Sequence, residues 1–188
     1  MEIKLIRHTT PDIGKGICYG QSDIPLKKTF NEEAKIVLEK LGSSSGFKVY
    51  SSPLKRCTYL AEKINPEFTI SKSLLEMNFG DWEMKPWNSI PRESSEAWMQ
   101  DFVHVKVPNG ESYIELYTRV ISFLNTIISK NENAIFVTHS GVIRSILAHI
   151  TDLKLKDSFT FDIPFGSVIS IFYENGKFST NFNPKKND

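Results

Sequence analysis

An arginine and a histidine stand side by side near the start of the chain, as Arg7 and His8. Residues 2–6, Glu-Ile-Lys-Leu-Ile, have strand character, and the turn signal Thr-Thr-Pro-Asp follows, so both side chains lie at the carboxyl end of a predicted strand. Open α/β sheets bind ligands at that edge, and a guanidinium is a strong anion donor. We therefore interpret His8 as a nucleophile toward a phosphoryl group; the alternative is a chance pairing.

Two further predicted strand ends carry residues of the same kind. One strand is followed by Ser52-Pro53, which predicts a helix start and places Arg56 in the first turn of that helix. The apolar run Ala-Ile-Phe-Val-Thr is typical of a central strand and ends at His139, with Ser140 as a candidate cap for the next helix. We interpret Arg144, farther along that helix, as a packing residue and leave a phosphate contact from it open.

These residues predict an anion pocket if the strand ends meet. Two fixed positive charges and two imidazoles suit a phosphomonoester, because guanidinium groups match phosphate oxygens in geometry and stay protonated. The helix starts after Ser52 and Ser140 would add backbone N–H donors. A neutral imidazole with one unprotonated nitrogen can attack phosphorus, and neighbouring arginines favour the neutral form.

The reaction also needs a proton donor for the leaving alkoxide. The run from Ser73 to Met84 has neither helical nor strand periodicity and contains three carboxylates, so it predicts an ordered loop. Glu76 is the candidate general acid, with Asp81 and Glu83 as rivals. Glu76 would then activate water against the phosphohistidine, and this scheme requires no metal and no cofactor.

The order of predicted elements favours one α/β domain over residues 1–188. Helical spacing at 29–41, with Thr29 and Glu32 as a capping box, and at 113–128, with Ser112 and Glu115 as a second box, predicts two amphipathic helices. Alternating residues around Glu174-Asn175-Gly176 predict a closing hairpin, and the tail after it should fray. The fold class is three-layer α/β/α, with a mainly parallel sheet and an antiparallel edge strand.

A segment at about 84–108 predicts a small cap insertion. Two prolines break any long helix there, and a short helix is expected at 94–103. Trp87 and Trp98 in this segment are predicted to pack the cap against the core; the alternative is that they line a pocket for an aromatic base.

Composition narrows the function classes. The 188 residues carry 23 basic and 22 acidic side chains, so no overall field attracts nucleic acid or an anionic membrane. Two cysteines without Cys-x-x-Cys spacing argue against a disulfide scaffold or thiolate metal site, which favours a cytoplasmic protein. The expected partner is a small phosphorylated substrate, and nothing in the sequence indicates an oligomeric state.

Five motifs, in this order, resemble the histidine phosphatase superfamily, whose fold is called phosphoglycerate mutase-like. They are Leu-Ile-Arg-His-Thr at 5–9, Ser-Ser-Pro-Leu-Lys-Arg at 51–56, Leu-Leu-Glu-Met-Asn-Phe-Gly-Asp-Trp-Glu at 74–83, Pro-Asn-Gly-Glu-Ser at 108–112 and Thr-His-Ser-Gly-Val-Ile-Arg at 138–144. The resemblance spans residues 2 to about 173. It implies that His8 is the phosphorylated nucleophile, that Arg7, Arg56 and His139 form the phosphate pocket, and that Glu76 donates the proton.

Within the superfamily, the chain is similar to the alpha-ribazole phosphatases of cobalamin nucleotide-loop assembly, through His-Thr-Thr-Pro-Asp, Cys-Tyr-Gly-Gln-Ser-Asp and the Trp-rich cap. Thr9 replaces the usual glycine after the histidine, and Gly14 stands where mutases carry a phosphate-contacting asparagine, so Gln21 or Ser22 is expected to supply that contact. The alternatives are a broad-specificity phosphatase, mutase-like phosphotransfer between hydroxyls, or a non-catalytic module that binds phosphorylated ligands.

Overall fold

The computed structural model describes residues 1–182, and a six-stranded sheet forms their centre. Its strands are β1 (Glu2–Arg7), β2 (Lys48–Ser51), β3 (Thr69–Ile70), β4 (Ala134–Thr138), β5 (Val168–Glu174) and β6 (Lys177–Thr180). They lie in the order β3-β2-β4-β1-β5-β6. The first four strands in that order run parallel, and β5 and β6 add antiparallel pairings at one side. The predicted mainly parallel sheet with an antiparallel edge is confirmed.

Helices cover both faces of this sheet. α1 (Phe30–Leu41) and α2 (Lys55–Ile64) lie on one face, and α4 (Tyr113–Lys130) and α5 (Ser140–Ile150) lie on the other. The remaining helix, α3 (Arg92–Gln100), has no buried residue. All five residues of β4 are buried: Ala134 and Phe136 pack with α4 and α5, and Ile135 and Val137 pack with α1 and α2. This alternation is what a strand needs when apolar layers lie on both its faces, and it confirms the three-layer arrangement. None of the helices in residues 1–182 has the length and apolar character to cross a membrane.

Two helix starts differ from the sequence-based prediction. α2 begins at Lys55 with Leu54 as its N-cap, because the hydroxyl of Ser52 lies 2.8 Å from Nε2 of His139. α5 begins at Ser140, so His139 and not Ser140 is its N-cap. Both serines were therefore predicted to cap helices that other residues cap.

The capping box predicted for α1 is also wrong. The hydroxyl of Thr29 donates to Oε1 of Glu33 at 2.7 Å, one residue beyond the expected Glu32. Glu33 also accepts the backbone N–H of Thr10 at 2.7 Å, so this carboxylate joins the start of α1 to the loop after β1. That tertiary contact is not encoded in the local spacing.

The closing hairpin forms as predicted. Asn175 and Gly176 adopt positive φ values of 51° and 77°, as the tight turn that joins two twisted antiparallel strands requires. β5 ends at Glu174 and β6 ends at Thr180. The predicted fraying concerns residues 183–188, which lie outside the described part of the chain.

The segment at 84–108 contains a 3₁₀ turn, Trp87–Ser89, and α3, which begins two residues earlier than the predicted helix and ends three residues earlier. No residue of α3 is buried, while Val103 and Val107 after it are. The segment is therefore attached to the body of the protein at its ends, and the helix rests on the outside.

The second predicted capping box is present and generates a stability prediction. At the start of α4 the Ser112 side chain accepts the backbone N–H of Glu115, and the N–H of Ser112 donates to Oε2 of Glu115 at 2.9 Å. Because an N-cap hydroxyl is worth about 1 kcal/mol, Ser112→Ala should lower the free energy of unfolding in urea by about that amount. Ser129→Ala is the matched control, since that exposed hydroxyl donates to the carbonyl of Thr126 in the last turn of the same helix, where no cap is lost. Equal losses in the two variants would contradict the role of the cap.

Candidate active site

The carboxyl ends of three neighbouring parallel strands bring the predicted residues together. In the register of the sheet, Arg7 lies beside Thr138, and the N–H of His8 donates to the carbonyl of Thr138 at 3.0 Å. The rings of His8 and His139 are 5.1 Å apart between centroids. Nε of Arg56 lies 3.4 Å from Nδ1 of His139. The prediction that these four side chains share one sheet edge is confirmed.

His8 is held as a neutral imidazole with one nitrogen available. Its ring is 2% exposed, and Nδ1 lies 2.7 Å from the carbonyl oxygen of Thr9, so Nδ1 carries the proton and donates it. Burial lowers the pKa of His8 well below its ordinary value, and the charges of Arg56 and Arg7 lower it further, against the opposing effect of the Thr9 carbonyl. Nε2 therefore keeps its lone pair near neutral pH.

Arg56 is fully buried, and main-chain oxygens of the loop after β1 fix its orientation. It donates to the carbonyl of Ser22 at 2.8 Å and to that of Gly20 at 2.5 Å. The ring of Tyr19 lies 5.4 Å from the guanidinium carbon. A buried cation that is satisfied by neutral carbonyls keeps its charge available to an anion.

Arg7 approaches the same space from β1. One terminal nitrogen donates to the carbonyl of Ile163 at 2.5 Å, and the guanidinium lies 3.8 Å from the ring centre of Phe165. Its Nε is buried and has no hydrogen-bond partner within residues 1–182. A buried N–H without a partner is costly, and a ligand oxygen would remove that cost.

His139 lies behind Arg56 and His8. Its side chain is completely buried, and Nε2 lies 2.8 Å from the hydroxyl of Ser52. Burial lowers the pKa of His139 well below its ordinary value, with Arg56 and His8 adding to the effect. His139 contacts Arg56 and His8 and does not itself line the cavity, and its direct contact with phosphate stays a prediction.

The cavity opens where these strand ends meet the segment at 84–108. Its walls carry three guanidinium groups, one carboxylate, one imidazole and several aromatic rings. The lining residues are Arg7, His8, Ile17, Tyr19, Arg56, Glu76, Met77, Phe79, Trp87, Tyr113, Ser140, Gly141, Arg144 and Phe159. Trp87 lines the cavity, whereas Trp98 stacks on Trp87 from behind with a centroid distance of 6.0 Å. Trp87 therefore fits the alternative of a pocket-lining residue, and Trp98 fits the alternative of a packing residue.

Glu76 supplies the carboxylate of this wall. Its Oε2 accepts the N–H of Gly141 at 3.2 Å, at the start of α5, and its Oε1 accepts the N–H of Met77 at 3.0 Å. A Cβ at position 141 would overlap Oε1 of Glu76, so only glycine allows this approach. One donor predicted for the phosphate, the amino end of α5, is thus engaged with the candidate acid.

The two rival acids have other contacts. Asp81 is exposed and accepts the side-chain amide of Asn109 at 2.9 Å. Glu83 accepts the backbone N–H groups of Gln21 at 2.8 Å and of Ser22 at 2.6 Å, together with the Ser22 hydroxyl. Neither carboxylate lines the cavity, which leaves Glu76 as the candidate.

Gln21 and Ser22 were predicted to contact the phosphate, but the structure gives them different partners. The Ser22 hydroxyl is bound to Glu83, and the side-chain amide of Gln21 donates to the carbonyl of Glu76 at 3.0 Å. Neither residue lines the cavity. Both belong instead to the network that holds the loop after β1 in place.

Sequence reasoning missed Tyr19 and Phe159 as lining residues and left Arg144 open. Tyr19 lies inside the Cys-Tyr-Gly-Gln-Ser-Asp run that follows the first strand, so its loop position is a usable signal. Phe159 lies in a 3₁₀ turn at Leu155–Thr160, a segment with no local motif. The guanidinium of Arg144 lies 4.9 Å from the ring of Phe159, a tertiary pairing that spacing does not reveal.

Comparisons with known proteins assign the chain to a family. The model of the histidine phosphatase superfamily (branch 1) matches residues 3–183. The chain belongs to the histidine phosphatase superfamily. The adenosylcobalamin/alpha-ribazole phosphatase of Escherichia coli (strain K12) is 30% identical to this histidine phosphatase, over 96% of this chain and 93% of the relative. The family confirms that the protein is a phosphatase hydrolase.

Two further comparisons concern a second sequence relative and a solved structure. The phosphoserine phosphatase 1 of Hydrogenobacter thermophilus (strain DSM 6534 / IAM 12695 / TK-6) is 26% identical, over 86% of this chain and 81% of its own. The crystal structure of the alpha-ribazole phosphatase from Shigella flexneri superimposes with a TM-score of 0.88 at 24% identity, covering 98% of this histidine phosphatase and 96% of that chain. The second likeness establishes the shared fold.

The two buried histidines generate a prediction about pH and stability. The pKa values of both histidines in the folded protein lie below the ordinary 6.5. Below that pH the unfolded chain therefore binds more protons than the folded protein, and the free energy of unfolding decreases as the pH is lowered. Each histidine contributes a slope of about 1.4 kcal/mol per pH unit there. His139→Gln should therefore reduce the pH dependence of the free energy of unfolding by about that slope between roughly pH 5 and 6, measured by urea denaturation. A slope equal to that of the wild type would refute the assignment of His139 as neutral.

Proposed function

We propose that this histidine phosphatase hydrolyses a small phosphomonoester through a phosphohistidine at His8. The observation that carries the proposal is the hydrogen bond from Nδ1 of His8 to the Thr9 carbonyl beside two guanidinium groups, which leaves Nε2 unprotonated in an anion-binding cavity. Arg7 and Arg56 bind the phosphoryl oxygens, and His139 supports Arg56 from behind. Glu76 lines the same cavity and is the proton donor.

The chemistry proceeds in two steps that reuse the same groups. In the first, Nε2 attacks phosphorus, the ester P–O bond breaks, and the leaving oxygen takes its electron pair and the proton of Glu76. In the second, the Glu76 carboxylate takes a proton from water, the water oxygen attacks phosphorus, and the N–P electron pair returns to Nε2. Arg7 and Arg56 stabilise the charge on the equatorial oxygens in both transition states.

For the natural substrate we propose alpha-ribazole phosphate, hydrolysed to alpha-ribazole in cobalamin nucleotide-loop assembly. The motifs around Cys18 and in the Trp-rich cap support it, as does the named activity of the Escherichia coli relative. A cytoplasmic location belongs to the same proposal and agrees with two buried cysteines that form no disulfide within the described residues.

Phosphoserine is the second candidate substrate. Arg144 adds a third guanidinium to the cavity wall, beyond the two that a phosphate group needs, and a guanidinium suits a carboxylate on the leaving group. The phosphoserine phosphatase 1 of Hydrogenobacter thermophilus is the relative that points the same way.

The covalent step predicts a trapped intermediate. Glu76→Gln, which cannot activate water, should accumulate a phosphoryl group on His8 when it is fed an activated ester such as 4-nitrophenyl phosphate. The adduct should be stable in alkali and labile in acid, and quenched mass spectrometry should locate it on His8. His8→Ala should show no adduct and should lose steady-state turnover by about 10³-fold or more. An adduct on another residue, or equal turnover by His8→Ala and wild type, would refute the proposed nucleophile.

The choice of substrate predicts an order of specificity constants. Offered alpha-ribazole phosphate, O-phosphoserine, 3-phosphoglycerate and glucose 6-phosphate in competition, the enzyme should show its highest kcat/KM on alpha-ribazole phosphate. Arg144→Met should raise the KM for O-phosphoserine by about tenfold if Arg144 binds its carboxylate, which corresponds to about 1.4 kcal/mol of binding free energy. A higher kcat/KM for O-phosphoserine than for alpha-ribazole phosphate would reverse the order of the two candidates.

A further inference from the structure

An arginine outside the cavity donates hydrogen bonds to the main chain of the segment that contains Glu76. Arg119 lies on α4 and does not line the cavity. One terminal nitrogen donates to the carbonyl of Ser73 at 2.8 Å, and the other donates to the carbonyl of Glu76 at 3.0 Å. A single guanidinium therefore binds the main chain of Glu76 itself and of a residue three positions before it.

The guanidinium is in turn fixed by a two-point ion pair with Glu111. Nε of Arg119 lies 3.2 Å from Oε2, and its terminal nitrogen lies 2.8 Å from Oε1. The two side chains are 24% and 16% exposed, so water screens this pair less than it would a surface pair. Two parallel N–H···O bonds define the plane of the guanidinium as well as its position.

Glu111 also binds the segment on the other side of Glu76. Its Oε1 accepts the N–H of Asn78 at 2.9 Å, and its own N–H donates to the carbonyl of Asn78 at 3.0 Å. The pair of Arg119 and Glu111 thus holds the main chain before, at and after Glu76. Glu111 belongs to the Pro-Asn-Gly-Glu-Ser motif, and no residue of that motif takes part in the two chemical steps.

The segment needs such support because its own backbone provides little. Glu76 lies between two 3₁₀ turns, Lys72–Leu74 and Gly80–Trp82, and belongs to no strand or helix. Proton transfer requires the carboxylate to be placed to within a fraction of an ångström, and an error of about 1 Å costs roughly a hundredfold in rate. A fixed carbonyl at Glu76 fixes the origin of its side chain, whose far end then reaches the N–H of Gly141.

We propose that Arg119, locked by Glu111, is a positioning residue that holds Glu76 in the geometry for proton transfer. The inference rests on the proposed role of Glu76 as general acid and base. Arg119 touches neither the phosphoryl group nor the leaving group in this scheme, so its effect passes through Glu76 alone. The competing explanation is that the pair only stabilises the packing of α4 against the loop.

Two substrates with similar rings and different leaving groups separate these explanations. The alkoxide of 2-phenylethyl phosphate needs a proton as it departs, whereas the phenolate of 4-nitrophenyl phosphate departs without one. In rapid-quench measurements of the first step, Arg119→Met should slow the alkyl ester by about tenfold to a hundredfold and the nitrophenyl ester by less than about threefold. The substrate concentration that half-saturates this first step should change little for either ester. Phosphohistidine should persist longer than in the wild type, because water activation also needs Glu76.

Three comparisons complete the test. Arg119→Lys keeps the charge but loses the two-point pairing, so it should show the same selective loss at intermediate size. Ile127→Ala removes a buried side chain elsewhere on α4; it should lower Tm and leave the ratio of the two rates unchanged. Arg119→Met in a Glu76→Gln background should slow the alkyl ester by no more than about twofold further, since both changes act on one group.

Equal slowing of the two esters by Arg119→Met, or a full additional loss in the Glu76→Gln background, would overturn the inference. If Arg119→Met does not fold, Glu111→Gln weakens the same pair with little change of shape and should give the same selective loss. The proposed function fails separately: Glu76→Gln would then slow the first step of both esters alike, or His8→Ala would keep its activity.

Discussion

The site depends on the burial of positive charge beside two histidines that must stay neutral. Arg56 is completely buried, and it reaches main-chain oxygens of Gly20 and Ser22 through its terminal nitrogens. Carbonyl groups satisfy the hydrogen-bonding needs of a guanidinium without cancelling its charge. The field of Arg56 therefore acts on His8 and His139, and together with burial it holds both pKa values down. An anion that enters the cavity meets an unneutralised charge and an unprotonated nitrogen at once.

Much of this arrangement follows from strand order. β2, β4 and β1 are adjacent and parallel, so Ser51, Thr138 and Arg7 end at one edge, and the residues that follow them meet there. The run Ala134–Thr138 predicted a strand covered on both faces, periodicity predicted α1 and α4, and a capping box predicted the start of α4. These features could be predicted because each depends on residues that are close together in the sequence. The grouping of Arg7, His8, Arg56 and His139 followed once the sheet was assumed to be parallel.

The parts that could not be predicted depend on partners that are distant in the chain. Ser52 looks like an N-cap, but its hydroxyl is close to His139, and α2 starts later as a result. Gln21 and Ser22 look like polar loop residues free to bind phosphate, yet Glu83, about sixty positions later, takes the N–H groups of both. Arg119 and Phe159 carry no local motif at all. In each case a tertiary hydrogen bond or ring contact decides the outcome, and a single sequence does not show which partner is chosen.

The position of β1 has a consequence for biosynthesis. Its two neighbours in the sheet are β4 and β5, which the ribosome makes more than a hundred residues later. A nascent chain that stops before Ala134 offers β1 no strand to pair with, and the His8 N–H lacks its acceptor at Thr138. Loop-closure entropy over so long a span makes this pairing slow. β1 therefore becomes ordered only after β4 and β5 have been translated, and the nucleophile reaches its final geometry at that late point.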